Sequence, residues 1–170
     1  MQQQQVVGPP DFQKDPSEMK TLAEIFYDAL SADETLTALT GGRIVSTCFE
    51  VPPDELDNTP LPNIIITNDG FQNNTSTKDY VWESDEDVVT ASVDIAANSP
   101  SEVDSIVAKV RQAIENHIVS LYQQGGLTPQ LQPGSPSSDG IAWDWAKPCY
   151  YQKINYQCIS NKYTEDEQED

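Results

Sequence analysis

Basic side chains are scarce in this chain: nine lysines and arginines stand against 28 aspartates and glutamates, a formal charge of −19 on 170 residues. A surface so short of cations offers no footprint for gripping nucleic acid phosphates or an anionic membrane. Cysteine is nearly absent as well. Cys48, Cys149 and Cys158 are odd in number and show no C-x-x-C or Cys/His spacing. Neither a disulfide framework nor a zinc site is indicated, and the three read as small buried hydrophobes in a reducing compartment. There is a single histidine, His117, and no G-x-S-x-G, P-loop, H-E-x-x-H or reactive-cysteine context, so a catalytic reading has no residues to carry it. The expectation is a protein that is not an enzyme, with no catalytic residue, no metal and no cofactor. No stretch approaches the ~20 apolar residues needed to span a bilayer, and no basic region precedes an apolar run at the N-terminus. A chain made and kept in the cytosol, with no membrane partner, is expected.

What is present is enough for one domain. Apolar residues make up 37% of the chain, below the roughly 45–50% usual in globular proteins, but the shortfall is concentrated at the ends and in two polar loops. Residues 1–14 hold Gln2 to Gln5 and Gly8-Pro9-Pro10 and read as an arm too polar to offset the entropy of ordering. Residues 164–170 carry five carboxylates and no apolar side chain, and 163–170 reads as a solvated acidic tail. A single domain is expected over 15–162.

Within it, Asp15-Pro16-Ser17-Glu18 reads as a helix start, with Asp at the N-cap, Pro at the first helical position and Glu at N3. The helix is expected to run to about Ser31, its stripe formed by Met19, Leu22, Ala23, Phe26, Ala29 and Leu30. Leu36 and Leu39 extend that stripe through a short turn ended by Gly41-Gly42. Strands are expected over 43–51, 63–68 and 88–97, the first two separated by an extended loop that Pro52-Pro53 and Pro60-Leu61-Pro62 impose. In the third, Val89, Ala91, Val93, Ile95 and Ala97 face the core while Thr90, Ser92 and Asp94 face water. Ser99-Pro100-Ser101-Glu102 opens a long amphipathic helix running to about Gln124, where Gly125-Gly126 stops it. Its stripe is Val103, Ile106, Val107, Val110, Ile114, Ile118 and Leu121. A polar loop over 127–140 then leads to a hairpin holding Ile141, Trp143 and Trp145 in one arm and residues 149–160 in the other. The fold class is α+β: a mainly antiparallel sheet of about five strands with two packed helices, in the order α-β-β-β-α-β-β, and a polar loop or hairpin inserted between strands two and three.

That insertion, 71–87, is where candidate site residues gather. Phe71, Tyr80, Val81 and Trp82 are large apolar side chains in a polar segment, which suits either a contact with another subunit or rings folded back on their own sheet. Glu83, Asp85, Glu86 and Asp87 form the tightest acidic cluster of the folded region. It lacks the alternating oxygens and the glycine of a calcium loop, so a solvated charged surface is favoured over a metal site. His117, three residues after Ile114 and four before Leu121, reads as a histidine at the edge of the core.

The order of elements, together with the strings Ala32-Asp33-Glu34-Thr35-Leu36-Thr37-Ala38-Leu39-Thr40-Gly41-Gly42-Arg43-Ile44, Thr59-Pro60-Leu61-Pro62 and Ser99-Pro100-Ser101-Glu102, resembles the tail-completion or tail-terminator family of long-tailed bacteriophages. The resemblance covers about 21–160 and ends in the Trp/Tyr-rich hairpin. It implies a virion protein at the tail-neck junction, assembled in the host cytoplasm as a homohexameric ring that stops growth of the tail tube protein and docks to a neck or head-completion protein. Double-stranded DNA would pass through without specific binding. On this reading Phe71, Tyr80, Val81 and Trp82 lie at a subunit interface, and Glu83, Asp85, Glu86 and Asp87 line the channel. The Gln-rich arm, the long 127–140 loop and the acidic end depart from the simplest members, which leaves a related neck or tail-adaptor ring as the alternative. An acidic DNA-mimic inhibitor is a third reading; it needs carboxylates along one exposed face, whereas Glu102, Asp104, Lys109, Arg111 and Glu115 on the long helix are mixed in sign.

Overall fold

The computed structural model describes residues 21–47, 58–73, 86–123, 131–133 and 135–161. The expected arm, the helix-start signals of Asp15 to Glu18, the Gly125-Gly126 stop and the acidic tail lie outside them. Helix α1 spans Leu22–Ser31 and opens on Thr21, not on Asp15. Thr21 is extended (φ −69°, ψ 162°), so no helix runs through it from upstream. The Thr21 hydroxyl accepts from the Glu24 amide, and the Glu24 carboxylate accepts from the Thr21 amide. Thr21-x-x-Glu24 is thus a second capping box, and it satisfies two of the amides that a helix start leaves over. Ser31 ends the helix as expected, and Leu22, Ala23, Ile25, Phe26, Ala29 and Leu30 bury its inner face.

Helix α2, Glu34–Thr40, is capped by the Asp33 carboxylate on the Leu36 amide and closed by Gly41 in the left-handed region at φ 62°. Leu36 is fully buried, but Leu39 is exposed. A three-residue step leaves Leu39 about 60° round the helix from Leu36, at the margin of the buried stripe.

Strand β1 (Ile44–Ser46) runs parallel to β2 (Asn63–Asn73), with Ile44 opposite Ile64 and Ser46 opposite Ile66. The proline-rich connection that makes this parallel return possible is pinned by Arg43, whose guanidinium donates to the Pro62 and Leu61 carbonyl oxygens at 3.0 and 3.1 Å. Strand β2 pairs antiparallel with β3 (Glu86–Ala97), and β3 with β6 (Cys149–Asn161). Helix α3, Pro100–Gln123, follows β3 and opens as read, with the Ser99 hydroxyl accepting from the Glu102 amide. Two short elements then share the far edge of β6: β4 (Leu131–Pro133) at its C-terminal end and β5 (Ser137–Asp144) at its N-terminal end. The fold is α+β, with a six-stranded sheet in the order β1-β2-β3-β6-β4 and β5 beside β6.

Helices α1 and α3 cover one face. Ile64 and Ile66 from β2, Ala91, Val93, Ile95 and Ala97 from β3, and Ile154, Tyr156 and Cys158 from β6 meet Phe26, Leu30, Val103, Ile106, Val110 and Ile114 in one core. Each large aliphatic side chain fully buried there contributes about 1.5–3 kcal/mol gross. The opposite face of β3 is less wet than alternation suggests, because Ser92 is fully buried. Its small side chain sits in a central strand between Thr67 and Asn155. Among the described residues no helix is long and apolar enough to cross a membrane.

Candidate functional site

The segment 71–87 is part ribbon. Strand β2 does not stop at Asn68: Asp69 forms a bulge, Gly70 takes φ 98°, and pairing resumes with Phe71 opposite Val89 and Asn73 opposite Asp87. Asp-Gly reads as a turn in sequence, but here the glycine's left-handed conformation absorbs one extra residue and lets the strand continue. The result is a β2–β3 ribbon at the edge of a sheet that is still four strands wide here, since β3 stays paired with β6 and β6 with β4. Ile64 and Ile66 are buried, whereas Asn68, Asp69, Gly70, Phe71 and Gln72 are exposed. Phe71 is 69% exposed, which for a phenylalanine held in a paired strand is an apolar ring offered to solvent.

Of the other residues singled out in sequence, Tyr80, Val81, Trp82, Glu83 and Asp85 lie outside the described residues. Glu86 and Asp87 are the first two residues of β3 and half-buried, so they belong to the sheet and not to a loop. Successive strand residues project to opposite faces, which places Asp87 with Val89 and Phe71 on the helix side and Glu86 on the other. The structure therefore does not bring Glu86 and Asp87 onto one surface. The Asn73 amide donates to the Asp87 carboxylate at 2.9 Å and to the Glu86 carbonyl oxygen at 3.2 Å, tying the two arms together. Among the described residues no group of three or more histidine, cysteine or acidic side chains is placed to hold a metal ion.

A second exposed apolar surface, read from sequence only as part of the closing hairpin, lies at the other end of the sheet. Trp143 stands opposite Tyr150 and packs edge-on against it at 4.7 Å, and Trp145 packs edge-on against Trp143 at 6.0 Å. Tyr150 rests on the core, Trp143 is 38% exposed and Trp145 is 87% exposed. The rings form a ladder from core to solvent, and Ile141, on the same face as Trp143, adds further exposed apolar area. The turn that presents Trp145 is held by the Asp144 carboxylate, which accepts from the Ala146 and Lys147 amides at 2.9 and 3.3 Å. The alternation Ile141, Trp143, Trp145 on a strand that pairs on one side only was the available signal; it reads equally well as a buried strand, so sequence alone left the exposure undecided.

Distance along β6 relates the two surfaces. Phe71 is opposite Val89, which is opposite Cys158, while Trp143 is opposite Tyr150. The eight residues from Tyr150 to Cys158, at about 3.3 Å each, set them roughly 26 Å apart along the strand direction alone. Both lie on the helix side of the sheet, at opposite ends.

No family model and no curated protein matches the chain. Its fold is similar to that of a chain in a solved virion of a native gene transfer agent particle, with a TM-score of 0.45 and 15% sequence identity, over 82% of this chain and 94% of that one.

Proposed function

We propose that this chain is a structural protein of a phage-type virion, the kind of particle to which the similar chain belongs. Its finer role is one subunit of a closed ring, a homohexamer by the family resemblance, at the head-proximal end of the tail. There it terminates the tail tube, docks to a neck protein and leaves a channel for duplex DNA. A neck or tail-adaptor ring would use the same geometry.

The observation that supports this reading is the pair of exposed apolar surfaces, Phe71 at one end of the sheet and an aromatic edge at the other. A monomer leaves both uncovered, and head-to-tail contacts repeated about an axis close into a ring when the rotation allows. In this reading Tyr80, Val81 and Trp82 share the subunit interface with Phe71. Glu83, Asp85, Glu86 and Asp87 supply the negative charge of the lumen, with Glu86 or Asp87 turned inward according to which face of the ribbon lines it. Duplex DNA carries about one charge per 1.7 Å, so an acidic wall lets it slide without capture. A DNA mimic is less well supported, since exposed Asp104, Arg111 and Glu115 on α3 mix signs.

Light scattering coupled to size exclusion tests the ring, on the purified chain alone and mixed with tail tube protein. A closed oligomer is expected; a strict monomer at high concentration, unchanged by tube or neck protein, overturns the reading. Changing Glu83, Asp85, Glu86 and Asp87 to Lys is expected to make the ring retain duplex DNA with an affinity that falls steeply as salt rises, while the unaltered ring retains none.

A further inference from the structure

Resting on the ring reading above, we infer that the aromatic edge formed by Ile141, Trp143 and Trp145 is the acceptor surface for the Phe71 end of the β2–β3 ribbon of a second copy of this chain. Phe71 and the Trp143–Trp145 ladder are exposed apolar surfaces of matching chemistry. They lie roughly 26 Å apart along the strand direction on one molecule, at opposite ends of a rigid sheet, so a chain cannot satisfy its own pair. Each copy carries one donor and one acceptor, the arrangement that propagates head to tail and closes only around an axis.

Charge points to the same occupant. Two copies at −19 each repel, so contact must form where the local charge is balanced. Over 137–153 Asp139 and Asp144 are matched by Lys147 and Lys153; Lys153 stands opposite Asp94 on the face away from Trp143, which leaves Lys147, in the turn beside Trp145, as the cation of this corner. The Asp144 carboxylate already accepts two backbone amides. The approaching ribbon end carries Asp69, Glu86 and Asp87 with no cation among its described residues, so it meets a corner that bears Lys147 rather than another acidic cluster. Strand β5 also presents an edge that no described strand pairs, and backbone hydrogen bonds can add to the ring contacts there.

The test compares the full chain with Trp145→Ser and Phe71→Ser variants by light scattering across a concentration series, with circular dichroism and thermal melting to verify the fold. Each variant is expected to melt as the unaltered chain does and to need about tenfold more protein, or greater, to assemble. An equimolar mixture of the two variants has one intact donor and one intact acceptor, and it is expected to stop at a heterodimer. If Trp145→Ser assembles at the normal concentration while the unaltered chain forms rings, the acceptor assignment is wrong and the ring stands. If Phe71→Ser assembles normally while Trp145→Ser does not, β5 pairs with β5 of its neighbour and the donor assignment is wrong. An unaltered chain that stays monomeric with tube protein removes the ring and this contact together. Should Trp145→Ser fail to fold, a Phe71→Cys/Trp145→Cys double variant keeps the question open to measurement: oxidation is expected to give a ladder of covalent multimers, and a product that stays at one chain overturns the contact.

Discussion

Replacing Tyr156 by Phe should stabilise this protein at neutral pH and flatten its loss of stability in alkali. Tyr156 is 5% exposed, and its hydroxyl makes no hydrogen bond among the described residues. The ring sits edge-on to Phe26 at 4.7 Å and 65°, a contact worth about 0.5–1.5 kcal/mol that phenylalanine keeps. An unsatisfied buried hydroxyl costs about 1–3 kcal/mol, so removing it is expected to add on the order of 1 kcal/mol. Burial pushes the Tyr156 hydroxyl up to about 12, with Arg111 working in the opposite direction. The unfolded chain releases this proton near pH 10. Between pH 10 and 12 the folded state therefore binds one proton more than the unfolded state, and stability present below pH 10 falls by about 1.4 kcal/mol per unit across that window. Urea unfolding at pH 7, 10, 11 and 12 measures both effects, and other titrating groups cancel when the variant is compared with the parent. A loss above about 1 kcal/mol at pH 7, or an alkaline slope shared by both proteins, would refute the argument.

Three further substitutions separate core from surface and charge from packing. Burial, assisted by Asp69 and opposed by Lys153, raises the Asp94 carboxyl above its usual range; its stability is fullest below that range and is lost as pH rises through the shifted value, so Asp94→Asn should raise Tm at pH 7 and do so less at pH 3. An equal or larger gain at pH 3 would contradict this. Phe26→Ala, at a ring 1% exposed, should cost about 3–5 kcal/mol in urea unfolding, whereas Phe71→Ser should cost under about 1 kcal/mol to the monomer, and a loss of several kcal/mol there would return Phe71 to its own core.

Much of the fold is legible because the core announces itself by period. Val103, Ile106, Val110 and Ile114 are buried along α3, and Ala91, Val93, Ile95 and Ala97 along β3, where helical and strand spacing put them. Local chemistry was harder to read where two signals compete. Asp15-Pro16-Ser17-Glu18 and Thr21-x-x-Glu24 are both credible helix starts, and only backbone angles at Thr21 decide that the described helix begins at the second. Asp69-Gly70 looks like a chain reversal, yet a bulge uses the same glycine conformation without ending the strand. Strand β4 carries no pattern at all; it exists because β6 is long enough to leave backbone groups at Cys158 to Ser160 for another segment to pair. The candidate surfaces were legible by composition and not by placement. Phe71 stood out as an apolar residue in polar surroundings, whereas Trp143 and Trp145 were hidden in an alternating run, and only the sheet order shows that nothing among the described residues covers them.

An exposed edge strand bearing tryptophans is ordinarily an invitation to unregulated pairing. Here three features narrow it. Between Ser138 and Ile141 the register with β6 shifts, and Gly140 sits at φ 95°, which breaks the ladder midway along β5. Asp139 falls in that break and puts a charge on the edge. The flat, apolar part left to a partner is 141–144, a stretch too short to template an extended sheet. Beyond the edge the chain's net charge holds copies apart at long range, and at physiological salt that repulsion decays over about 8 Å. A copy arriving with its acidic ribbon end meets a cation, Lys147, at the β5–β6 corner. The acidity that first excludes nucleic acid as a partner therefore also restricts how copies meet, leaving the aromatic corner as the favoured point of contact and the opposite end of the sheet as its counterpart.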